Sequence, residues 1–388
     1  MEAKKIAFIK QGTFSNINPH ISHILERHFP EYQVEVIDIW EDVIRKGDLL
    51  NLFYCLKEYS GDIVTRRRTL RSCMIRTSYF FKVVRKRLHK LLNPDEYLFS
   101  LQTQSLFDGS VRGIPHFVYT DHTNTENIHY QNGHHYLFPQ KYQRMENMIF
   151  QHAELVFTMS HNVEKSLQEY YRCPPDKIKN IYAGSNIPLD YDSPSQRDAR
   201  SFKKRILFVG MEWNRKGGPL LEEAFRLVLD KHPDARLTIA GTAPEMDLPN
   251  CEILGKVPLA ELPRYFKDSD VFCMPTLREP FGIVFVEAMH YGLPIVATRQ
   301  GAIPDFVEEN KNGYLLKKNT PQELAGLLNR LLGSSEHCRA FGRKGREKAR
   351  AYYTWDLVGK RMSHYIREHL RMPAALKILP HRYDVKSG

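Results

Sequence analysis

The sequence contains no apolar run that approaches the ~20 residues of a membrane-spanning helix, so no transmembrane segment is expected. Its first residues, MEAKKIAFIKQG, include neither an extended apolar region nor a small-residue cleavage site, and they predict a strand rather than a signal peptide. These two absences argue against export and against insertion into a bilayer. They favour a cytoplasmic protein, and they leave open its attachment to the inner face of a membrane.

Cysteine is sparse, and its spacing fits neither a disulfide framework nor a zinc site. No two cysteines form a CxxC pair; the six are Cys55, Cys73, Cys173, Cys251, Cys273 and Cys338. The one local group of histidines, His129, His134 and His135, has no cysteine nearby and is predicted to belong to a loop rather than to a metal centre. We therefore expect reduced thiols, no bound metal and no cofactor.

What is present is a globular composition, because hydrophobic residues make up 42% of the 388 residues and charged residues 26%. This length accommodates two domains of ordinary size. The formal net charge is +11, and the excess of basic residues is concentrated in one place. The segment 65–92 has ten lysines and arginines and no acidic residue, so it accounts for most of the net charge.

Strand-like and helix-like segments alternate along the chain in two series. KKIAFIK, INPHISHILERHF and YQVEVIDI are typical of a strand, a helix and a strand, which predicts a parallel sheet. HFVYTDHT and ELVFTMS indicate further buried strands that end in polar residues. A polar break, LDYDSPSQRDARSFKKR, precedes a second alternating series that begins at RILFVG.

The predicted fold class is therefore α/β, with two domains. The first domain spans 1–190, the linker 191–204, the second domain 205–351, and a C-terminal helix and tail 352–388. The last helical segment, TWDLVGKRMSHYIREHLRM, is long enough to cross back to the first domain. Two such domains facing across a cleft suit a ligand held at the carboxyl ends of both sheets.

Two glutamates stand out in the otherwise apolar segment 277–296, LREPFGIVFVEAMHYGLPIV. Pro280 and Gly282 indicate a helix start, where unpaired N–H groups bind anions such as phosphate. Glu279 precedes this start and Glu287 lies two turns on, so each carboxylate can accept hydrogen bonds from hydroxyls on one side of a diphosphate. This pattern predicts a nucleotide-sugar site. The alternative is that Glu279 only complements the helix dipole and that Glu287 lies on the surface.

A basic turn, FVGMEWNRKGG, follows the first predicted strand of the second domain. Arg215 and Lys216 precede two glycines at a helix start, a combination suited to neutralising a departing diphosphate. The spacing is not that of a Walker loop. Taken alone, the turn is equally compatible with a solvated basic loop.

In combination these segments resemble a known family. EPFGIVFVEAMHYGLPIVAT, followed by GAIPDFVEENKNGYLL, is similar to the C-terminal signature of the retaining glycosyltransferases of family 4 (glycosyl transferases group 1), which have the GT-B fold of two Rossmann-like domains. FVGMEWNRKGG, LTIAG, ILGKV and YTWDLVGKRM fall in the order and spacing of that family. The resemblance covers nearly all of the second domain and is much weaker in the first.

The resemblance implies roles for residues of the second domain. Glu279 would contact hydroxyls of the donor sugar, Glu287 would bind the ribose, and Lys216 would bind the diphosphate. Backbone groups would complete the site: those of Phe281, Gly282, Ile283 and Val284 at the sugar and diphosphate, and those of Lys256 and Val257 around the nucleobase.

Two features of the site depart from the family. The arginine that often follows the glycine corresponding to Gly210 is here Met211, and Arg215 is the candidate to supply the missing charge. The first loop, KQGTFSN, is glycine-rich in many relatives but here has one glycine, Gly12, placed to approach the donor or the acceptor. In the first domain, His122 resembles the family's histidine at the interdomain cleft, near the transferred sugar; a purely structural histidine is the alternative.

The basic segment 65–92 includes a predicted amphipathic helix. Its apolar positions, Phe80, Val84, Leu88 and Leu91, recur on one face, and its basic positions, Lys82, Arg85, Lys86 and His89, occupy the other. Such a helix docks on anionic membranes, or it is an ordinary helix whose apolar face packs in the core. A third interpretation of the basic charge is nucleic-acid binding. No nucleic-acid motif accompanies the segment, so nucleic acid is not an expected partner.

The implied activity is transfer of a hexose from a UDP- or GDP-sugar to an acceptor hydroxyl with retention of configuration, in the synthesis of a glycan, glycolipid or polysaccharide. The acceptor, a glycan or a lipid-linked molecule, would bind to the first domain. Front-face attack, with the departing phosphate assisting deprotonation, needs no protein nucleophile and no metal. The alternatives are a nucleotide-sugar epimerase or another GT-B-like enzyme, and a non-catalytic module that binds membranes or polyanions.

Overall fold

The computed structural model describes residues 4–44, 48–130, 133, 136–189 and 201–373. Within these ranges the chain forms two α/β units, each built on a six-stranded parallel sheet with helices on its faces. The predicted α/β class and the two-sheet arrangement are confirmed. Most of the predicted linker 191–204, and the tail after residue 373, lie outside the described residues.

The first sheet has the strand order β2-β1-β3-β4-β5-β6. Its inner strands are buried on both faces, as parallel strands covered by helices must be, which explains their continuous apolar sequences. The strands are β1 Lys5–Lys10, β2 Gln33–Asp38, β3 Tyr97–Thr103, β4 His116–Thr120, β5 Leu155–Thr158 and β6 Ile178–Asn180. Sequence patterns did not identify β3, although it pairs with β1 at the centre of the sheet.

The second sheet has the order β12-β11-β10-β7-β8-β9. In chain order this sheet begins with β7 in its interior and continues through β8 to the edge strand β9. The chain then returns to form β10 on the other side of β7. Its strands are β7 Arg205–Val209, β8 Arg236–Ala240, β9 Cys251–Gly255, β10 Val271–Met274, β11 Ile295–Thr298 and β12 Gly313–Leu316. In open parallel sheets the point of reversal, here between β7 and β10, opens a crevice in which ligands bind.

Helices cover both sheets, and none in the described part of the chain combines the length and the apolar character needed to cross a bilayer. Those of the first unit are α1 Asn18–His28, α2 Leu49–Val64, α3 Leu70–Met74, α4 Ser78–Leu91, α5 Gln140–His152 and α6 His161–Tyr171. Those that follow are α7 Gly218–Lys231, α8 Leu262–Asp268, α9 Ile283–His290, α10 Ile303–Phe306, α11 Pro321–Leu332, α12 Ser335–Tyr352 and α13 Trp355–His369. A π-helical turn occupies Ile39–Val43, and 3₁₀ turns occupy Asn124–His129, Pro175–Lys177 and Leu259–Glu261.

The basic segment 65–92 is not a single helix, because it contains α3 and α4 separated by a turn. Three of the four apolar positions predicted for α4, Phe80, Val84 and Leu88, are fully buried in the core of the first unit. Only Leu91, at the end of the helix, is exposed. The apolar face of α4 is therefore a core face, whereas its basic residues remain on the surface.

Helix α13 returns to the first unit and packs on α1, as the sequence predicts. The Arg367 guanidinium donates to the His28 carbonyl oxygen (2.8 Å) and pairs with Glu31 (2.8 Å). At the other end of the helix, the rings of Trp355 and His20 stack with 4.7 Å between their centres. A Cβ at Gly359 would lie 2.7 Å from the ring of His28, so a residue without a side chain is required for this close packing.

Candidate functional site

The candidate site lies where the loops after β7 and β10 meet, at the reversal point of the second sheet. Lys216 comes from the loop after β7, and Glu279 comes from the loop after β10. The Lys216 ammonium group contacts the Glu279 carboxylate directly in a buried ion pair. The two side chains are 12% and 7% exposed, so the pair is largely withdrawn from solvent. The structure thus brings together two residues that sequence analysis assigned to one ligand.

The loop that carries Lys216 is held by Gly217, which has a φ of +77° and caps α7. A Cβ at Gly217 would lie 1.9 Å from the carbonyl oxygen of Pro275, so the loop can approach β10 only with glycine at this position. Leu277 donates its N–H to the Arg215 carbonyl oxygen at 2.9 Å, which joins the two loops. This close packing places Lys216 next to Glu279.

Arg215 does not point into the site as a free cation. Its Nε and Nη2 donate to both carboxylate oxygens of Glu212, at 2.9 and 2.8 Å. Its Nη1 donates to the carbonyl oxygen of Arg278 at 2.8 Å. In this structure Arg215 therefore fixes the loop after β10, and the role in diphosphate binding predicted for it stays a prediction.

The N-terminus of α9 opens directly beside Glu279. Gly282, with a φ of +89°, precedes the helix, and no side chain of the described residues caps this end. The first N–H groups of a helix have no partner within it, so Phe281, Ile283 and Val284 present amides at this point. A Cβ at Gly282 would lie 2.9 Å from Cγ of Glu279, so glycine also keeps the carboxylate close to the helix start.

Glu287 lies inside α9, buried and in contact with the segment that leaves the first sheet. Its Oε1 accepts a hydrogen bond from the Asn186 backbone N–H at 3.2 Å, and burial raises the pKa of its carboxyl to about 7. The Asn186 side chain in turn donates to the Ser15 carbonyl oxygen at 2.7 Å. Ser15 belongs to the same loop as Gly12, so Glu287 is connected to the first βα loop. The surface alternative for Glu287 is wrong.

Four other predicted residues follow the carboxyl ends of strands, three of them in the second sheet and one in the first. Gly210 follows β7, and its N–H donates to the Ala240 carbonyl oxygen at 2.9 Å. Lys256 and Val257 follow β9 at the edge of the sheet, where Lys256 is exposed and Val257 is partly buried. Gly12 follows β1 with a φ of +63° and has open space where a Cβ would be. Their predicted contacts with a nucleotide stay predictions.

His122 follows β4 and faces the second unit. Its Nε2 lies 3.3 Å from Nη2 of Arg278, and its Nδ1 lies 2.6 Å from Oε2 of Glu126 without the alignment of a hydrogen bond. Burial and the neighbouring Arg278 lower the pKa of His122 to about 3. Burial also raises the pKa of the Glu126 carboxyl to about 8. The imidazole is therefore neutral at neutral pH.

Arg278 is a site residue that sequence analysis missed. It precedes Glu279, and its Nε donates to Oδ1 of Asn127 in the first unit at 2.9 Å. Its guanidinium lies 4.7 Å from the ring centre of Tyr136. The one feature of the sequence that could have indicated Arg278 is its position directly before Glu279 in LREPFG. No pattern in this segment indicates a contact with residues about 150 positions away in the sequence. Arg278 brings the loop after β10 against His122.

A second contact between the units involves the backbone of Glu279. The Tyr130 hydroxyl donates to the Glu279 carbonyl oxygen at 3.1 Å. Gly301, with a φ of +50°, lies against the same carbonyl: a Cβ there would be 1.8 Å from that oxygen and 2.9 Å from the Tyr130 hydroxyl. Glu279 is thus held by its side chain within the second unit and by its main chain across the cleft.

A cavity of about 450 Å³ opens between the two units beside this contact. Asp121 and His122 line it from the first unit, and Arg278 and Pro280 line it from the second. Its size is that of a small-molecule site. The cavity adjoins Glu279, so a molecule held in it lies next to the Lys216–Glu279 pair.

Of the three clustered histidines, only His129, the last residue of the 3₁₀ turn Asn124–His129, belongs to the described part of the chain. The ring of His129 contacts the Tyr170 hydroxyl at 3.0 Å, whereas His134 and His135 lie outside the described residues. No group of three or more histidine, cysteine, aspartate or glutamate side chains suited to a metal ion is found among the described residues.

Two protein-family models match this chain, one in each unit. The model for glycosyl transferases group 1 matches residues 192–348, and the model for glycosyltransferase family 4 matches residues 59–187. Spore coat protein SA of Bacillus subtilis (strain 168) is 27% identical over 237 residues, which cover 53% of this chain and 63% of that protein. The match to this chain spans only 57 to 63% of the length of spore coat protein SA and of two further curated relatives.

Solved structures share the overall arrangement at lower sequence identity. Sucrose-phosphate synthase from Thermosynechococcus elongatus superposes with a TM-score of 0.69 at 17% identity, covering 94% of this chain and 98% of that one. HepE from Anabaena, in a complex with UDP and glucose, superposes with a TM-score of 0.62 at 18% identity, covering 94% and 99%. At these identities the likeness concerns the fold: two Rossmann-like units that face each other.

Proposed function

Because this chain belongs to the family 4 glycosyltransferases (glycosyl transferases group 1) and has the GT-B fold, we propose that it transfers a hexose from a nucleotide-diphosphate sugar to an acceptor hydroxyl, with retention of configuration. The product would be a glycan, a glycolipid or a polysaccharide. UDP-sugars are the first donors to test, since HepE, which shares the fold, was solved with UDP and glucose.

One observation carries the proposal: the buried contact between Lys216 and Glu279 lies beside the open N-terminus of α9. A cation and free N–H groups are the two elements that stabilise a departing diphosphate without a metal ion. Glu279 can accept hydrogen bonds from sugar hydroxyls once Lys216 turns toward the phosphates. Glu287, which lies in α9 two turns beyond Glu279, would bind the ribose.

The first unit would supply the acceptor side of the reaction. His122 is neutral, so it can exchange hydrogen bonds with a sugar hydroxyl without placing a charge next to Arg278. The departing phosphate would assist deprotonation of the acceptor, and no protein nucleophile is assigned. The contacts of Tyr130 and Arg278 across the cleft would limit access of water to the donor.

The test is a product assay with a panel of UDP-, GDP- and ADP-sugars. A thermal-shift screen identifies the nucleotide, and chromatography with and without sugar acceptors then detects transfer. We expect stabilisation by one nucleotide and a new glycoside only when an acceptor is present, with the donor's anomeric configuration by NMR. A product formed without acceptor would indicate an epimerase, an inverted product would refute retention, and no response to any nucleotide would refute the donor site.

We also propose that the first unit docks on an anionic membrane, through α2 rather than through the apolar face of α4. One face of α2 exposes large apolar side chains: Leu49, Leu50, Phe53, Leu56 and Val64, which are 48 to 80% exposed. The opposite face, with Asn51, Cys55 and Tyr59, is buried. Exposed basic residues flank the apolar face at Lys57, Arg66, Arg67 and Arg71. An apolar face bordered by cations matches an anionic bilayer surface.

Replacing Leu50 and Phe53 together by glutamine is expected to lower binding to anionic vesicles by at least about tenfold, because each apolar side chain contributes ~1.5–3 kcal/mol when fully buried. Flotation with vesicles of phosphatidylglycerol and phosphatidylcholine measures the bound fraction. Leu227→Gln provides the control, since Leu227 is an exposed apolar residue on α7. Equal flotation of the double variant and this control would rule out docking through α2.

A further inference from the structure

Arginines surround the cavity between the two units, outside the Lys216–Glu279 pair. Four of them line it: Arg67, Arg68, Arg76 and Arg278. Arg68 forms an ion pair with Asp62, so its charge is compensated within the first unit. Arg67 is exposed at the rim. For Arg76 and Arg278, no carboxylate of the described residues lies within ion-pair distance, and all their hydrogen-bond partners are neutral.

Arg76 is held in the cavity wall by neutral groups. Its Nη1 donates to the carbonyl oxygen of Ser72 at 2.9 Å, and its guanidinium lies 4.3 Å from the ring centre of Phe138. Its Nε is buried and has no hydrogen-bond partner among the described residues. Because a buried N–H without an acceptor costs free energy, Arg76 has donor capacity for an acceptor atom that a ligand brings.

Arg278 enters the cavity from the other unit. Its side chain is oriented by Asn127, by His122 and by the rings of Tyr130 and Tyr136, and among the described residues these leave part of its planar set of N–H donors without an acceptor. Burial lowers the pKa of Arg278, as does the neighbouring Arg215, whereas Tyr130, Tyr136 and Asp121 act in the opposite direction. Two guanidiniums from different units thus meet at one cavity.

The acidic residues of the cavity do not cancel this charge. Glu146 is 2% exposed and already receives hydrogen bonds from Ser105 (2.9 Å), from the Asn124 N–H (3.0 Å) and from the Tyr171 hydroxyl. Burial raises the pKa of its carboxyl to about 7, and that of Asp121 to about 6. With Arg68 paired to Asp62, three guanidiniums (Arg67, Arg76 and Arg278) face at most two carboxylates (Asp121 and Glu146), so the cavity has an excess of positive charge.

We propose that this cavity binds an anionic oxygen group of the acceptor, a phosphate or a carboxylate, between the guanidiniums of Arg76 and Arg278. The inference rests on the proposed function, because it names the class of acceptor that the first unit takes. Guanidinium donors lie in one plane and match either group with paired hydrogen bonds. With the anion held there, a hydroxyl of the same molecule can reach His122 and Pro280, next to Glu279.

Calorimetric titration at constant ionic strength tests the proposal with three probes: glucose, glucose 6-phosphate and glucuronate. Saturating UDP keeps the probes out of the donor site, and titrations without UDP serve as a comparison. We expect at least one anionic sugar to bind about tenfold or more tightly than glucose, the gain typical of hydrogen bonds to a charged group. The ratio of the two anionic sugars distinguishes phosphate from carboxylate.

Arg76→Gln and Arg278→Gln are each expected to remove this preference, lowering the affinity for the anionic sugar about tenfold while glucose binding changes little. Arg76→Lys keeps the positive charge but loses the planar pair of N–H donors. It should therefore retain part of the preference for the anionic sugar over glucose. Arg144→Gln is the matched control, because Arg144 is exposed on α5 and does not line the cavity. Melting temperatures verify that each variant folds.

Three results would overturn the proposal: equal affinities for charged and neutral sugars, no measurable binding of either anionic sugar, or equal losses in Arg76→Gln and Arg144→Gln. The affinity for UDP, measured in the same samples, reports separately on the proposed function. Binding of glucose 6-phosphate without any nucleotide binding would refute the donor site and keep the anion site.

Discussion

Replacing Lys216 by alanine is expected to lower kcat/KM for sugar transfer by about 10² or more, the loss seen when a preorganised donor to a developing negative charge is removed. Glu279→Ala should lower it by at least about tenfold, because the sugar hydroxyls lose a charged acceptor. The two residues share one buried contact. The measurement is an initial-rate assay with the nucleotide sugar identified by the screen.

A stability measurement separates this loss from simple unfolding. Lys216→Met and Glu279→Gln each leave the other partner buried without its counter-charge, which costs about 3 kcal/mol for a buried pair. The double variant removes both charges, and its melting temperature should recover toward that of the wild type. Its transfer rate should stay at the level of the slower single variant. Recovery of activity together with stability would show that the pair is only structural.

Gly301→Ala is expected to lower transfer by about 10², because displacing a reacting group by ~1 Å can cost this much. The new methyl group would lie 1.8 Å from the Glu279 carbonyl oxygen, and the backbone at Gly301 has a positive φ that alanine adopts with strain. The loop must therefore move, which breaks the hydrogen bond from Tyr130 and displaces Glu279. A fall in melting temperature should accompany the lost activity.

Gly326→Ala is the matched control for this substitution. Gly326 lies exposed in α11, and a Cβ there meets no atom within 4 Å. Alanine is preferred over glycine in a helix by about 0.5–1 kcal/mol, so this variant should be as active as the wild type and slightly more stable. If Gly301→Ala behaved like Gly326→Ala, the position of Glu279 would not depend on the contact across the cleft.

Much of the fold could be predicted from the sequence, because strands of a parallel sheet are covered on both sides and appear as apolar runs between helices. The runs of β1, β4, β7 and β10 are examples. Helix α2 was not recognised as amphipathic, because its apolar residues lie on the exposed face and its buried face carries Asn51, Cys55 and Tyr59. For α4, periodicity identified the apolar face but not whether protein or lipid covers it.

The candidate residues of the second unit lie in two short segments with strong local signals, so the sequence alone indicates them one by one; their roles in binding a nucleotide sugar stay predictions. The contacts among them could not be predicted. Sequence patterns do not indicate that Lys216 and Glu279 form an ion pair. They also do not indicate that Glu212 accepts hydrogen bonds from the guanidinium of Arg215. Arg278 and the arginines on either side of α3 line one cavity only through contacts between distant parts of the chain, which one sequence alone does not reveal.

The return of α13 to α1 has a mechanical consequence. The chain joins the two units twice, once by the covalent connection ahead of β7 and again at Trp355, whose backbone N would lie 2.5 Å from a Cβ at Gly184. This contact leaves no room for a side chain at Gly184, so it holds the two units together at the start of α13. We expect any movement that changes the distance from His122 to Glu279 to pivot near this contact.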